Sequence, residues 1–386
     1  MSDYFLLTQE ALQPNGETTV VGALAKPQVS NKPTSWILYI RQTITLRKHQ
    51  SMNVLIIGGT IFLGRALITA LQQNGHTVSV FHRGKHPLPE DCTDVKEYIG
   101  DRANDISALS GLTFDAVIDT CGYFPANVRF TAQALLPTTK QYIFISSISV
   151  YKNNDVPNQN EDAECGTLDD STVREITGET YGPLKRYCER EVESIYGSQA
   201  CIIRPGLIVG PHDVSHRFTY WIHRVLQGGE ILVPDTWNTP VQFIDADDIA
   251  NFAVTCIEQN TNGVYNLNSP KGMFTLQQVV ETTAQYVNNH VEFIPVTEDF
   301  LLEQGVGAWI ELPLWIPQSP EMQGFYTHSV QRAMNNGLKI TPFKSTIEKI
   351  ISELDKQPLQ QLRAGLSQQR EKELISQWKQ LPNTAL

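Results

Sequence analysis

A doubly wound α/β fold, a Rossmann-like parallel sheet covered by helices on both faces, is predicted by three features of the 386-residue chain. From Asn53 onward, short apolar, β-branched runs alternate with helical stretches, the rhythm of parallel-sheet proteins. A glycine turn, "NVLIIGGTIFLG" at 53–64, joins the first run to the first helical stretch. The runs are apolar nearly throughout, as strands buried on both faces are.

The elements follow in order. "NVLII" reads as a buried strand. "RALITALQQNG" carries apolar residues at helical spacing and stops at Asn74-Gly75. "TVSVF" is a second strand; "FDAVIDT", "YIFISS" and "ACIIRPG" are further ones. After Gly206 the rhythm loosens. "FTYWIHRVLQGG" reads as a helix, "GVYNLN" as a strand and "TLQQVVETTAQYV" as an amphipathic helix. Near the C-terminus Leu359, Leu362, Leu366, Leu374 and Trp378 fall on a helical stripe, read as core packing. The expected division is a mobile extension at 1–51, a dinucleotide-binding domain at 52–270 with part of the substrate cleft from 206–240, and a smaller C-terminal substrate-binding part at 271–386. The extension carries Pro14, Gly16, Pro27, Asn31 and Pro33 with little sustained periodicity. Met52 directly precedes the first strand and reads as a second, or the natural, start.

Composition narrows the function classes. No apolar run approaches the roughly 18 residues of a membrane span. Asp3 and Glu10 sit where a signal peptide needs a basic region. Cys92, Cys121, Cys165, Cys188, Cys201 and Cys256 are scattered without a CxxC pair, and read as reduced thiols of a cytoplasmic protein. Residues 52–386 hold 25 Lys/Arg against 38 Asp/Glu, a charge of −13, which argues against a phosphate-tracking surface.

The chemistry begins at the glycine turn. Gly58, Gly59 and Gly64 fit GxGxxG or GxxGxxG, and both registers fail only at Ile61. The first glycine permits the tight turn and the last lets helix and strand pack closely. Backbone N–H groups of Thr60, Ile61, Phe62, Leu63 and Gly64 at a helix N-terminus can still hold phosphates. The second strand ends in His82-Arg83 with no carboxylate, which suits a 2′-phosphate and puts NADP ahead of NAD. Tyr181 and Lys185, four apart in "ETYGPLKRYCE", share a helix face, so the ammonium can lower the phenol's pKa for proton transfer. Ser147, at the end of the "YIFISS" strand, stands where its hydroxyl can steady the same substrate oxygen. Pro183 requires Tyr181 to lie in the helix's first turn.

In order along the chain, "GGTIFLG", "GDR" at 100–102, "FISSISVY", "YGPLK", "RPGLIVGP" and "VQFIDADDIA" resemble the short-chain dehydrogenase/reductase superfamily in its extended or atypical branch. Proteins of the NAD-dependent epimerase/dehydratase type with a "GGTxFLG" turn are the most similar, and members often carry a non-glycine at the position of Ile61. The resemblance covers residues 52 to about 270. It implies Ser147, Tyr181 and Lys185 as catalytic residues, Lys185 also at the nicotinamide ribose, Asp101 and Arg102 beside the adenine, and Thr120-Cys121-Gly122 along the cofactor cleft. Two departures matter. Ile148-Ser149 stand where the dehydratases have Asp-Glu, which argues against dehydration. Val241-Gln242 stand where nucleotide-sugar epimerases carry a diphosphate-gripping Arg.

On the substrate side, His212, Arg217, Tyr220 and Gln242 are the candidates, with Arg217 able to hold an anion bidentately. No metal site is expected at His212, Asp213 and His216. The expected activity is NAD(P)-dependent oxidoreduction or epimerisation of a sugar-like or other hydroxylated small molecule; a homodimer is left open. The rivals are an RNA-associated protein related to the chloroplast stem-loop binding proteins and a cofactor-binding regulator without turnover.

Overall fold

The computed structural model describes the chain apart from residues 1–4, 13–17, 28–35, 47–49, 91, 170–172, 357–360 and 382–386. Asp3, Pro14, Gly16, Asn31, Pro33 and Leu359 lie outside the described residues. The chain divides into two compact units, Met1–Ser51 and Met52–Leu386.

In the first unit, the stretch read as an extension carries three strands: β1 (Phe5–Leu12), β2 (Thr18–Pro27) and β3 (Trp36–Leu46). They form an antiparallel sheet of order β1-β2-β3. Runs such as "TTVVGALA" and "WILYIRQTITL" have the β-branched content of strands, a signal that the segment's Pro and Gly content masks.

The second unit opens with β4 (Asn53–Ile57), α1 (Phe62–Gln73), β5 (Thr77–His82), β6 (Lys96–Ile99) and β7 (Phe114–Asp119). There follow α2 (Pro125–Leu135), β8 (Thr139–Ile145), α3 (Tyr181–Tyr196), β9 (Ala200–Pro205), β10 (Ile208–Val209), α4 (Arg217–Gln227) and β11 (Gly229–Pro234). Then come β12 (Pro240–Val241), β13 (Ile244–Asp245), α5 (Ala246–Gln259), β14 (Gly263–Leu267), β15 (Phe274–Thr275), α6 (Leu276–Val287) and β16 (Val291–Val296). The short α7 (Glu298–Glu303) and α8 (Gln331–Asn335) precede α9 (Phe343–Lys356) and α10 (Gln368–Gln380).

Seven of these strands make one parallel sheet of order β14-β9-β8-β7-β4-β5-β6. Chain order reverses between β4 and β7, which creates the crevice where open α/β sheets bind ligands. Packing α1 and α5 on one face and α2 and α3 on the other buries two hydrophobic cores, one beneath each pair. The edge strand β6 escapes the sequence reading because its four residues are mostly exposed and show no apolar run. A third core joins α4, β11, α6, β16, α9 and α10. It draws on Leu207–Phe243 as well as Phe274–Ile375, so segments on both sides of β14 build it. The expected C-terminal stripe is not one helix. Gly365, at φ +102°, turns the chain ahead of α10, yet Leu366 and Leu374 are buried and Leu362 and Trp378 pack beside them. Trp315 is core, its indole N–H donating to Glu298 at 3.0 Å.

Candidate functional site

The carboxyl ends of β4 and β7 meet at the glycine turn. Gly58 has φ +98° and Gly59 φ +91°, a region that favours glycine. A Cβ on Gly58 would overlap the hydroxyl of Thr120, and one on Gly64 would overlap the backbone of Gly59. So the first glycine lets β4 and β7 close on each other, and the last seats α1 on its own turn. Ile61 takes the N-cap position of α1 in an extended conformation, supplies no side-chain cap and leaves its own side chain exposed. The first amides of α1 therefore point outward without an internal acceptor, the arrangement that binds phosphate. Ile61 narrows this cradle only at its rim. The cradle fits a dinucleotide's pyrophosphate.

The rim at the end of β5 differs from the sequence reading. His82 is buried, its Nε2 lies 2.8 Å from a Glu97 carboxylate oxygen, and its Nδ1 accepts the amide of Gly84 at 3.1 Å. His82 thus shapes the turn, and its ring nitrogens are occupied. Glu97 arrives from β6, the strand the sequence reading lacks. Arg83 is exposed.

Asp101 and Arg102 also take internal roles. Asp101 accepts the amide of Ala103 at 3.0 Å and bridges to Asp105 within its own turn. Arg102 is buried and donates to both carboxylate oxygens of Asp119, at 2.6 and 2.7 Å. Tyr142 donates to the same carboxylate at 2.9 Å. Both terminal nitrogens of Arg102 are thus used at the end of β7, while its Nε has no partner among the described residues. Cys121 donates its thiol to the Ile57 carbonyl at 3.6 Å; burial raises its pKa, with Arg102 pulling the other way. The thiol is a protonated wall of the cleft.

Ser147 and Tyr181 lie on neighbouring segments, the turn after β8 and the start of α3, and Lys185 follows one turn along α3. Ser147 ends the segment after β8, its Oγ accepting the Ser149 amide at 3.1 Å and donating to the Ser149 hydroxyl at 3.0 Å. Tyr181 opens α3, with Pro183 in the same first turn where its missing N–H costs nothing. Gly182 lets that turn approach: a Cβ there would overlap the Ser149 carbonyl. Burial raises the Tyr181 phenol, while a hydrogen bond with Ser147 and the charge of Arg217 draw it down. Lys185 is buried, its ammonium donating to the carbonyls of Gly122 at 2.9 Å and Ile145 at 2.6 Å and lying 4.3 Å from the Phe144 ring centre. Burial pushes its pKa down. The charge of Arg217, at the start of α4, also acts on the Tyr181 phenol, a contribution the sequence alone does not show. Tyr123, missed by the sequence reading, sets its ring 6.5 Å from that of Tyr181 and is pushed up to about 12, chiefly by burial. Its only sequence signal is its place one residue beyond Gly122.

Of the four substrate-side candidates, only Arg217 faces this cluster. Tyr220 lies fully buried in the third core, where Gly365 leaves room for its ring. Three residues on from Arg217, it follows the buried side of α4 once residues 362–375 cover that helix. Gln242 is buried and its amide is used up, donating to the Ser269 and His328 carbonyls at 2.7 and 3.0 Å and accepting the His328 amide at 2.9 Å. His212 is paired with Glu353 of α9 at 2.5 Å. Among the described residues no group of three or more His, Cys, Asp or Glu side chains is arranged to hold a metal, and no helix is long and apolar enough to cross a membrane.

Residues 54–267 match the family model described as the NAD dependent epimerase/dehydratase family. Among curated proteins, the chloroplast stem-loop binding protein of 41 kDa b of Arabidopsis thaliana is 30% identical over 240 residues, 56% of this chain and 59% of that protein. The chain thus matches about three-fifths of that relative's length. A solved structure of a putative epimerase from Burkholderia cenocepacia superposes with a TM-score of 0.62 at 16% identity, over 79% of this chain and 99% of that one. A UDP-glucose 4-epimerase gives 0.60 at 17% identity, over 79% and 98%. The Bordetella bronchiseptica enzyme WbmG, solved with NAD, gives 0.60 at 16%, over 81% and 96%. At these identities the structural likeness speaks to the fold.

Proposed function

Because the chain belongs to the NAD-dependent epimerase/dehydratase family, we propose that it is a nicotinamide-dependent epimerase or oxidoreductase acting on a hydroxylated, sugar-like small molecule. The observation that carries this reading is geometric: the glycine turn sits at the crevice where the strand order reverses, and Gly182 brings the start of α3, with Tyr181, against the Ser147–Ser149 segment.

The cradle of Gly58, Gly59 and Gly64 with the first amides of α1 would hold the cofactor's pyrophosphate, and a bound nicotinamide would supply hydride acceptance and return. The protein's residues handle the proton. Tyr181, raised by burial, rests as the phenol. It donates its proton to a substrate carbonyl oxygen as hydride arrives, or receives one from a substrate hydroxyl as hydride leaves, once Ser147 and Arg217 have lowered the cost of the phenolate. Ser147 hydrogen-bonds the same oxygen and fixes its position. Lys185 braces the loop after β7 against the end of β8 through Gly122 and Ile145, which uses two of its three N–H donors and leaves one for a ribose hydroxyl. Ser149 stands where an elimination would need an acid, which favours epimerisation or oxidoreduction over dehydration.

The test is binding and turnover together. NAD and NADP are titrated by calorimetry, and UDP-glucose and free sugars are then offered while reduced nicotinamide is followed by absorbance and the sugar products by NMR. Binding of neither nucleotide removes the reading. A second reading, a binder of nucleic-acid stem-loops, is favoured by the name of the Arabidopsis relative. The charge of −13 over residues 52–386 weighs against it. Salt-sensitive binding of a stem-loop RNA, with no nucleotide cofactor bound, would put it first.

A further inference from the structure

Arg217, the first residue of α4, holds its guanidinium 4.8 Å from the ring centre of Trp309. Among the described residues no carboxylate forms an ion pair with it. The nearest acid acting on it, Asp213, already takes the amide of Ser215 at 2.8 Å and its hydroxyl at 2.9 Å. A half-buried cation without a counterion is costly to keep. Burial accordingly works to lower its pKa, with Asp213 and Tyr181 opposing.

The chain leading into α4 and Trp309 itself carry left-handed backbone. His212, His216 and Trp309 take φ values of +67°, +57° and +67°. Left-handed backbone is a true outlier for a residue as bulky as tryptophan, and such outliers gather at sites that need a fixed geometry. Trp309 is held in place from several sides. Its amide donates to the Trp315 carbonyl at 3.2 Å, and the neighbouring Ile310 carbonyl accepts the Gly365 amide at 2.8 Å. Phe325 meets its ring edge-on at 5.3 Å and 81°.

We propose that Trp309 is a positioning residue for an oxyanion subsite, holding the Arg217 guanidinium by its face so that the N–H edge stays free for a phosphate or carboxylate group of the substrate. The proposal rests on the reading that this cleft takes the substrate. A guanidinium carries its five donors in its plane, so stacking against an indole costs none of them.

The experiment uses the full chain with saturating NAD, so that the glycine cradle is filled, and titrates inorganic pyrophosphate by calorimetry into wild type, Trp309→Ala and Trp309→Phe. Wild type should bind. Trp309→Ala should bind about three- to thirty-fold more weakly, the range of a cation–π contact. Trp309→Phe, which keeps an aromatic face, should lose much less, and NAD affinity should be unchanged in all three. Wild-type failure to bind pyrophosphate, equal binding by Trp309→Ala, or equal losses in both variants overturns the subsite. Failure of wild type to bind NAD and NADP instead sinks the cofactor reading, and the weaker pyrophosphate binding of Trp309→Ala relative to wild type and Trp309→Phe then decides the subsite, since Trp309 is no part of the glycine cradle.

Discussion

Arg102 forks onto Asp119 through two hydrogen bonds of 2.6 and 2.7 Å, with Asp119 fully buried and Arg102 nearly so. The pair ties the loop after β6 to the end of β7, directly beneath the crevice. Removing one partner of a buried pair strands the other's charge, at a cost of about 3–5 kcal/mol. Asp119→Asn should therefore lower unfolding free energy by that much in urea at neutral pH. Replacing the pair together, as Asp119→Leu with Arg102→Met, should cost far less. A loss of only about 1 kcal/mol for the single change, the value of an exposed pair, would show the pair to be wet.

The same carboxylate sets an acid limit. Burial works to raise Asp119, but the charge and hydrogen bonds of Arg102 outweigh it and hold the carboxyl below its usual range. A carboxyl depressed by folding contributes stability that is complete above its unfolded pKa of about 3.9. That stability is lost as pH falls through the lower folded value. Wild type should therefore lose more stability than Asp119→Asn between about pH 4 and pH 2. Parallel acid profiles for the two proteins would remove Asp119 as the cause.

Tyr181→Phe deletes the proposed proton donor while keeping its ring against Tyr123. General acid–base contributions run to about 100- to 10,000-fold, so kcat should fall by at least about 100-fold, with cofactor affinity and melting temperature nearly unchanged. Turnover near the wild-type level would take Tyr181 out of the chemistry.

The sequence exposes what local pattern encodes and hides what tertiary packing decides. Strands β4, β5, β7, β8, β9 and β14 are legible because each is a compact apolar run. The turn glycines and the Tyr181/Lys185 spacing are legible for the same local reason. Tyr220, Gln242 and His212 look like cleft residues because polar and aromatic side chains cluster near a turn. Only the packing of α4 against residues 362–375, the His328 backbone and Glu353 assigns them elsewhere. Asp119 reads as the end of an apolar strand, and its partner Arg102 lies 17 residues away. Trp309 carries no pattern at all; its left-handed backbone is visible only in three dimensions.

Gly182 tests how closely α3 must approach the segment after β8. A methyl group there meets the Ser149 carbonyl, and backbone cannot swing aside as a side chain can. Overpacking costs about 1–3 kcal/mol, so Gly182→Ala should lower stability by that amount and also move Tyr181 away from Ser147. Turnover should then fall further than the loss of folded protein explains. A variant with normal stability and kcat would show that the two segments have slack.

Arg83 tests which nicotinamide the cradle prefers. Its neighbour His82 is tied to Glu97 and Gly84, so Arg83 is the exposed cation at the end of β5. A hydrogen bond to a charged group is worth about 1.5–3 kcal/mol, or roughly ten- to a hundred-fold in affinity. Against this stands Glu97, a carboxylate that β6 delivers to the His82 imidazole. Its hydrogen bond to that ring occupies one of its oxygens, which weakens its claim on a ribose hydroxyl and leaves the guanidinium the stronger determinant. NADP should therefore bind more tightly than NAD, and Arg83→Ala should erase that preference while leaving NAD affinity alone. Titrating both nucleotides into wild type, Arg83→Ala and Glu97→Gln separates the two residues. If wild type prefers NAD and Glu97→Gln abolishes the preference, the carboxylate from β6 reads the ribose and Arg83 faces solvent.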